Sequence, residues 1–274
     1  MQEYKVENHV SSYLPDGRKW RLVWNDEFDG KKGSSVDETK WDYRLAMMGR
    51  THQGFGKKGV VLDGESNCVF SPYEEDGKVC TTQLQTGCNY MDGPIDSSYS
   101  GNFTWPIAKI KEPKFLKKYG YFECRCKLQQ REGWWTAFWL QSPCIGSTLN
   151  TEISGIENDI MEAFHPNYVN HHANHYNGYG SDHQQISVGG EYSVSADEYH
   201  TFGMLWTKEG YTFYVDGKED GHIDSPVSHI PQFILLSAEV NGWRHAEEKP
   251  TEEARLAVGD KFIVDYVRVF DFED

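Results

Sequence analysis

Three carboxylates, Glu157, Asp159 and Glu162, stand close together in the stretch GIENDIMEAF, residues 155–164. Their neighbours Ile156, Ile160, Met161, Ala163 and Phe164 all favour a core, which argues against a solvated acidic face. Side chains alternate between the faces of a strand, so Glu157 and Asp159 share one face and Glu162 falls on the apolar side. A carboxylate buried there without a partner is costly. One extra residue, a β-bulge around Ile160–Met161, returns Glu162 to the face of the other two while both apolar residues stay inward. The two glutamates are then about four strand steps, roughly 13 Å, apart, and the reach of their side chains brings the carboxyls to roughly 6 Å. That is nearer the ~5–5.5 Å of a retaining glycosidase than the upper range of an inverting one. Double displacement would use Glu157 as nucleophile and Glu162 as acid and then base. Asp159, between them, would hydrogen-bond Glu157 and raise its neighbour's proton affinity. The competing reading is an acidic surface strand.

The elements that must hold these groups are strands. KWRLVW, KVCTTQLQ, GYFECRCKL, WTAFWLQ, NDIMEAF, HTFGMLW, YTFYVDG, FILLSAEV and KFIVDYVRVF are short, rich in β-branched or aromatic residues, and bounded by Gly, Asp or Pro. TFGMLWTKEGYTFYVDGK predicts a hairpin turning at KEG. Strands without alternating helices point to an all-β antiparallel sandwich or jelly roll. No repeat or linker divides the 274 residues, so one domain spanning 1–274 is expected, with residues 1–18 as an N-terminal extension. Residues 44–68 and 87–106 are loop-rich, and long loops on a sandwich often build a binding face.

A formal net charge of -15 sets nucleic acid aside as a partner, since phosphate binding needs the opposite sign. Nine Trp and sixteen Tyr exceed what a core needs and offer flat faces for sugar rings. No run of eighteen apolar residues exists, so no membrane span is expected. The N-terminus MQEYKVENHV has no apolar signal core, which leaves a cytoplasmic chain or one whose signal has been removed. The six cysteines form no CxxC pair, and Cys124 and Cys126 share the parity of Phe122 and Leu128, as buried free thiols would.

Several segments in order along the chain resemble glycoside hydrolase family 16, the jelly-roll endo-β-glycanases that include laminarinases, agarases and porphyranases. WRLVWNDEFDG resembles the family's opening strand, YGYFECRCKL its Y-G-x-x-E-x-R-x-K strand, and GWWTAFWLQSP its Trp-rich cleft strand. ENDIMEAF matches the bulged form of its catalytic motif, and YHTFGMLWTKEGYTFYVDGK and DYVRVF match its late hairpin and closing strand. The resemblance implies a concanavalin-like sandwich with a concave cleft, and retaining chemistry by Glu157, Asp159 and Glu162. It implies sugar stacking on Trp135 and Trp139, and a cleft role for His175. No cofactor is implied for catalysis. A structural Ca²⁺ is implied on the convex side, held by the Asp265 side chain and backbone oxygens near Glu27 and Gly77. Glu239 and Trp243, in SAEVNGW, could face the cleft. His171 and His175 have the four-residue spacing of a helical zinc site, but a strand is expected here, so cleft-lining roles are favoured.

The chain also departs from the laminarinase-like branch. Its N-E-L-Q-Y-Y-T segment is absent from residues 44–73, and Lys109 stands where a cleft arginine is expected. Arg44 is the candidate to restore a cation. The expected function is hydrolysis of a β-1,3- or β-1,4-linked polysaccharide, a glucan or galactan, by a secreted, periplasmic or cell-surface enzyme. A sugar-binding module without activity, or a transglycosylase using the same glutamates, are the alternatives.

Overall fold

The computed structural model describes residues 1–48, 50, 53–92, 111–240 and 252–273. Trp243, Lys109 and residues 93–106 of the second predicted loop lie outside this set. The fold is an antiparallel jelly roll of two stacked sheets. One sheet orders seven strands as Gln184–Val188, His172–Tyr176, Glu157–Ala163, Trp134–Gln141, Phe233–Val240, Gln83–Gln85 and Asp42–Tyr43. The other runs Lys218–Ile223, Tyr211–Val215, His200–Trp206, Gly120–Lys127, Phe262–Phe272, Cys68–Phe70 and Val60–Leu62, with Trp20–Asp26 also paired to Phe262–Phe272. The predicted hairpin forms, with Trp206 opposite Tyr211.

Alternation decides what each face does. From Trp134–Gln141, Trp134, Phe138 and Leu140 enter the core between the sheets, and Trp135, Ala137 and Trp139 form a separate apolar layer on the outer face. Phe122, Cys124, Cys126 and Leu128 meet that core from the opposite sheet, and all six cysteines are free. Strand Gln83–Gln85 breaks the pattern KVCTTQLQ had suggested: residues 78–81 belong to a small three-stranded sheet instead.

Residues 1–18 carry a two-stranded hairpin, Gln2–Tyr4 with Ser12–Leu14. Leu14 packs with Trp20, Tyr121 and Phe270, and Arg268 donates to the Val10 carbonyl and the Ser12 hydroxyl at 2.8 Å each. The same guanidinium makes a two-pronged pair with Glu27, at 2.9 and 2.8 Å. No helix among the described residues is long and apolar enough to cross a membrane.

Candidate active site

The bulge that parity required is present. Strand Glu157–Ala163 pairs with Trp134–Gln141 so that Met161 faces Phe138 and Asp159 faces Trp139, which leaves Ile160 as the extra residue. Ile160 and Met161 both enter the core, with no exposed surface. Glu157, Asp159 and Glu162 therefore line one cleft on the outer face of the seven-stranded sheet. Trp135, Trp139, His175 and Glu239 line the same cleft.

Glu157 is held from one side. The Tyr179 hydroxyl and the Gln141 amide both donate to its Oε2, the latter at 3.0 Å, which leaves Oε1 as the oxygen these donors do not engage. Burial, then the charge of Asp159, raises the Glu157 pKa from 4.5 to about 7. Asp159, 4% exposed, faces His175: Nε2 lies 3.2 Å from Oδ2. Burial alone would lower the His175 pKa, but the hydrogen bond to Asp159 and the charges of Asp159, Glu157 and Glu162 outweigh it and lift the pKa from 6.5 to about 9.

An imidazolium has two donors. The second, Nδ1, lies 2.8 Å from His183 Nε2, which must therefore accept and keep its own hydrogen on Nδ1. Burial and then the charge of His175 lower the His183 pKa, as that role requires. Ligand atoms of Glu157, Asp159 and His175 lie within 4.8 Å of one another, close enough for a metal. As arranged, His175 Nε2 faces Asp159 at 3.2 Å, so a metal here would have to displace the proton between them. His171 turns instead to Glu191, at 3.2 Å, so the His171–His175 pair is not a shared ligand set.

Arg44 corrects the sequence reading. It is 1% exposed and does not line the open cleft: it lies 5.8 Å from the Trp139 ring with Nε donating to Asp92 at 2.7 Å, and from there its charge favours the Glu157 carboxylate. The cation that reaches the cleft is Arg50, paired at 2.7 Å with Glu239 and 6.0 Å from the Trp135 ring. Glu239 also accepts from Gln83 at 3.0 Å, so it braces the cleft wall. Tyr179, His183 and Arg50 were missed because their segments lack periodicity; a Tyr or Arg in such a loop carries no positional signal.

The implied calcium ligands do not fit an ion as arranged. Asp265, the extra residue of a bulge opposite Arg125–Cys126, already pairs with the Arg125 guanidinium. A divalent ion at that carboxylate would sit beside a fixed positive charge. Gly77 turns the hairpin between Tyr73–Glu75 and Lys78–Thr81, and Glu27 follows strand Trp20–Asp26, so the backbone oxygens implied there belong to a turn and to a strand end.

The family model described as Glycosyl hydrolases family 16 matches residues 105–266, more than half of the chain. This chain belongs to glycosyl hydrolase family 16. It is 27% identical over 205 residues to glucan endo-1,3-beta-glucosidase A1 of Niallia circulans, covering 72% of this chain and 28% of that protein. It is 30% identical over 167 residues to endo-1,3-1,4-beta-glycanase ExsH of Rhizobium meliloti, covering 58% of this chain and 32% of that protein. The chain thus spans about a third or less of the length of these two relatives. Among solved structures, the laminarinase from Rhodothermus marinus superposes with a TM-score of 0.68 at 22% identity, covering 94% of this chain and all of that one. That likeness is one of fold.

Proposed function

We propose that this family 16 chain is a retaining endo-β-glycosidase acting on β-1,3- or mixed β-1,3/1,4-linked glucan. The observation that carries the reading is the single-residue bulge at Ile160, which turns Glu162 onto the cleft face beside Glu157 and Asp159. The names of the two relatives, one an endo-1,3-glucosidase and one an endo-1,3-1,4-glycanase, support the substrate class.

In this reading Glu157 attacks the anomeric carbon as the bond to the leaving oxygen breaks, and Glu162 gives that oxygen its proton. The product is a glycosyl ester on Glu157. Glu162, now a carboxylate, takes a proton from water, whose oxygen displaces Glu157 and restores the original anomeric configuration. Trp135 and Trp139 offer ring faces to the sugars on either side. In this reading the enzyme is secreted, periplasmic or cell-surface, because a polysaccharide is met outside the cytoplasm.

The test is release of oligosaccharides from laminarin, mixed-linkage glucan, agarose and porphyran, with NMR of the first-formed anomer. Glucan oligosaccharides of retained configuration support the reading. Inverted product overturns the mechanism, and release from a galactan alone overturns the substrate. Products longer than the substrate, formed with added acceptor, would make the chain a transglycosylase.

A further inference from the structure

The bulge that aims Glu162 creates a problem for the backbone. An extra residue in one strand is left out of the ladder, and its carbonyl needs another partner when buried. On the far side, strand Glu157–Ala163 pairs with His172–Tyr176 only as far as Asp159 opposite Ala173. The next pair in that register, Ile160 with His172, does not form in the ladder. The His172 side chain makes the bond instead: Nδ1 lies 2.7 Å from the Ile160 carbonyl oxygen. A carbonyl only accepts, so Nδ1 carries the hydrogen.

The ring is fixed on its other sides too. His172 has no exposed surface and stacks on Phe213 of the opposite sheet, with centroids 4.7 Å apart and planes within 5°. Its Nε2 lies 3.0 Å from Asp220 Oδ2, also on the opposite sheet, and that oxygen accepts the Gly190 N–H at 2.8 Å. Two bare acceptors would repel at that distance, so a proton lies between Nε2 and Asp220. The bulge is therefore clamped across the core to strand Lys218–Ile223.

We propose that His172, oriented by Asp220, is a positioning residue for the reaction: it holds the Ile160 carbonyl, and through it the backbone that sets Glu162 relative to Glu157 and Asp159. His172 touches neither the cleft nor its carboxylates; it acts through the carbonyl of the residue that lies between Asp159 and Glu162. Nothing in a strand of ordinary alternation would need such a donor. The bond from Nδ1 to the Ile160 carbonyl is the one contact of this histidine that the bulge calls for.

The inference rests on the glycosidase reading for its kinetic test and on geometry for its structural one. His172→Phe keeps the ring on Phe213 and removes the donor. His172→Asn places an amide N–H near the position of Nδ1 and loses the reach to Asp220. With a glucan oligosaccharide, the Phe variant is expected to lose about 10- to 100-fold in kcat at little-changed KM, since misplacement by about 1 Å costs on that order. The Asn variant should recover most of that loss. Equal kcat losses in both variants that track their loss of melting temperature would overturn the proposal, as would a folded Phe variant within twofold of wild type.

Crystal structures of both variants supply a readout that needs no turnover. The path of residues 159–162 should shift in the Phe variant and stay native in the Asn variant; a native path in both overturns the clamp. A wild-type protein inactive on every glycan would sink the glycosidase reading and leave the structural arm to judge His172.

Discussion

His175 presents Nε2 to Asp159 Oδ2 at 3.2 Å, so among the described residues the cleft cation that faces the carboxylate row directly is one that can lose its proton. Among the described residues, Arg50 also lines the cleft but is engaged by Glu239. The His175 imidazolium and the buried Arg44 both favour the Glu157 carboxylate, and of these two only the imidazole can lose its charge near neutral pH.

Activity should follow a bell-shaped pH profile. Glu157 must be ionised to attack, and its pKa is raised to about 7, so kcat/KM falls on the acid side below that value. On the alkaline side turnover needs the proton that Glu162 donates in this mechanism, and deprotonation of His175 near pH 9 removes the charge that faces Asp159 as well. Replacing His175 with Gln removes a positive charge that favours the Glu157 carboxylate, so the acid limb should move up by about one unit. An unmoved acid limb in the variant would separate His175 from the carboxylate electrostatics. Stability has its own sign. Both folded pKa values lie above the ordinary 4.5 and 6.5, so the contributions are present at low pH. Glu157's is lost as pH rises through about 7 and His175's as it rises through about 9. Urea midpoints measured from pH 5 to 10 should therefore carry a downward component across this window that His175→Gln reduces.

Glu157→Gln should abolish turnover while leaving the fold and oligosaccharide affinity nearly intact, because the amide keeps the shape and loses the nucleophile. Glu162→Ala should behave differently. A substrate with an activated aryl leaving group needs no proton for the first step, and added azide can replace the water that Glu162 activates. Azide rescue to a glycosyl azide of retained configuration is the expected result, read by NMR. Rescue of Glu157→Gln rather than Glu162→Ala would reverse the assignment.

Tyr179→Phe removes one of two donors converging on Glu157 Oε2 and leaves Gln141. A hydrogen bond to a charged group is worth about 1.5–3 kcal/mol, so kcat/KM should fall by roughly 10- to 100-fold. The phenol favours the ionised glutamate, so the acid limb should also rise. A loss confined to KM would make Tyr179 a sugar contact instead of a holder of Glu157.

How far these groups were legible depends on the element that carries each. Glu157, Asp159 and Glu162 were readable because a period of two makes a misplaced carboxylate conspicuous, and the bulge at Ile160 is its geometric solution. Trp135 and Trp139 came from the resemblance, and alternation places them on one strand face with Ala137. Arg44 was the cation expected in the cleft; residues 44–53 have no period, and the structure buries Arg44 beside Trp139 and brings Arg50 to the cleft surface. Asp265 was named as a calcium ligand by likeness, and its carboxylate forms an ion pair with Arg125 that no strand pattern announces. His172 had a core-facing parity but no visible task, since its partner is a backbone oxygen exposed only by the bulge.

The Arg50–Glu239 pair should matter to stability far more than the chain's surface pairs. Its side chains are 19% and 3% exposed, and Glu239 also accepts from Gln83 and Gln53, at 3.0 and 3.3 Å. Glu239→Ala leaves the guanidinium and two amides without their shared acceptor, and breaking a buried pair from one side costs about 3 kcal/mol or more. The Lys57–Glu38 pair, at 3.1 Å with side chains 53% and 58% exposed, is the control, since an exposed pair contributes about 0–1 kcal/mol. Urea unfolding of Glu239→Ala and Glu38→Ala should show that contrast. Because Arg50 lies by the Trp135 ring, Glu239→Ala should also raise KM for oligosaccharide. Equal stability losses in the two variants would mean that Glu239 is wetted in solution and does not brace the cleft wall.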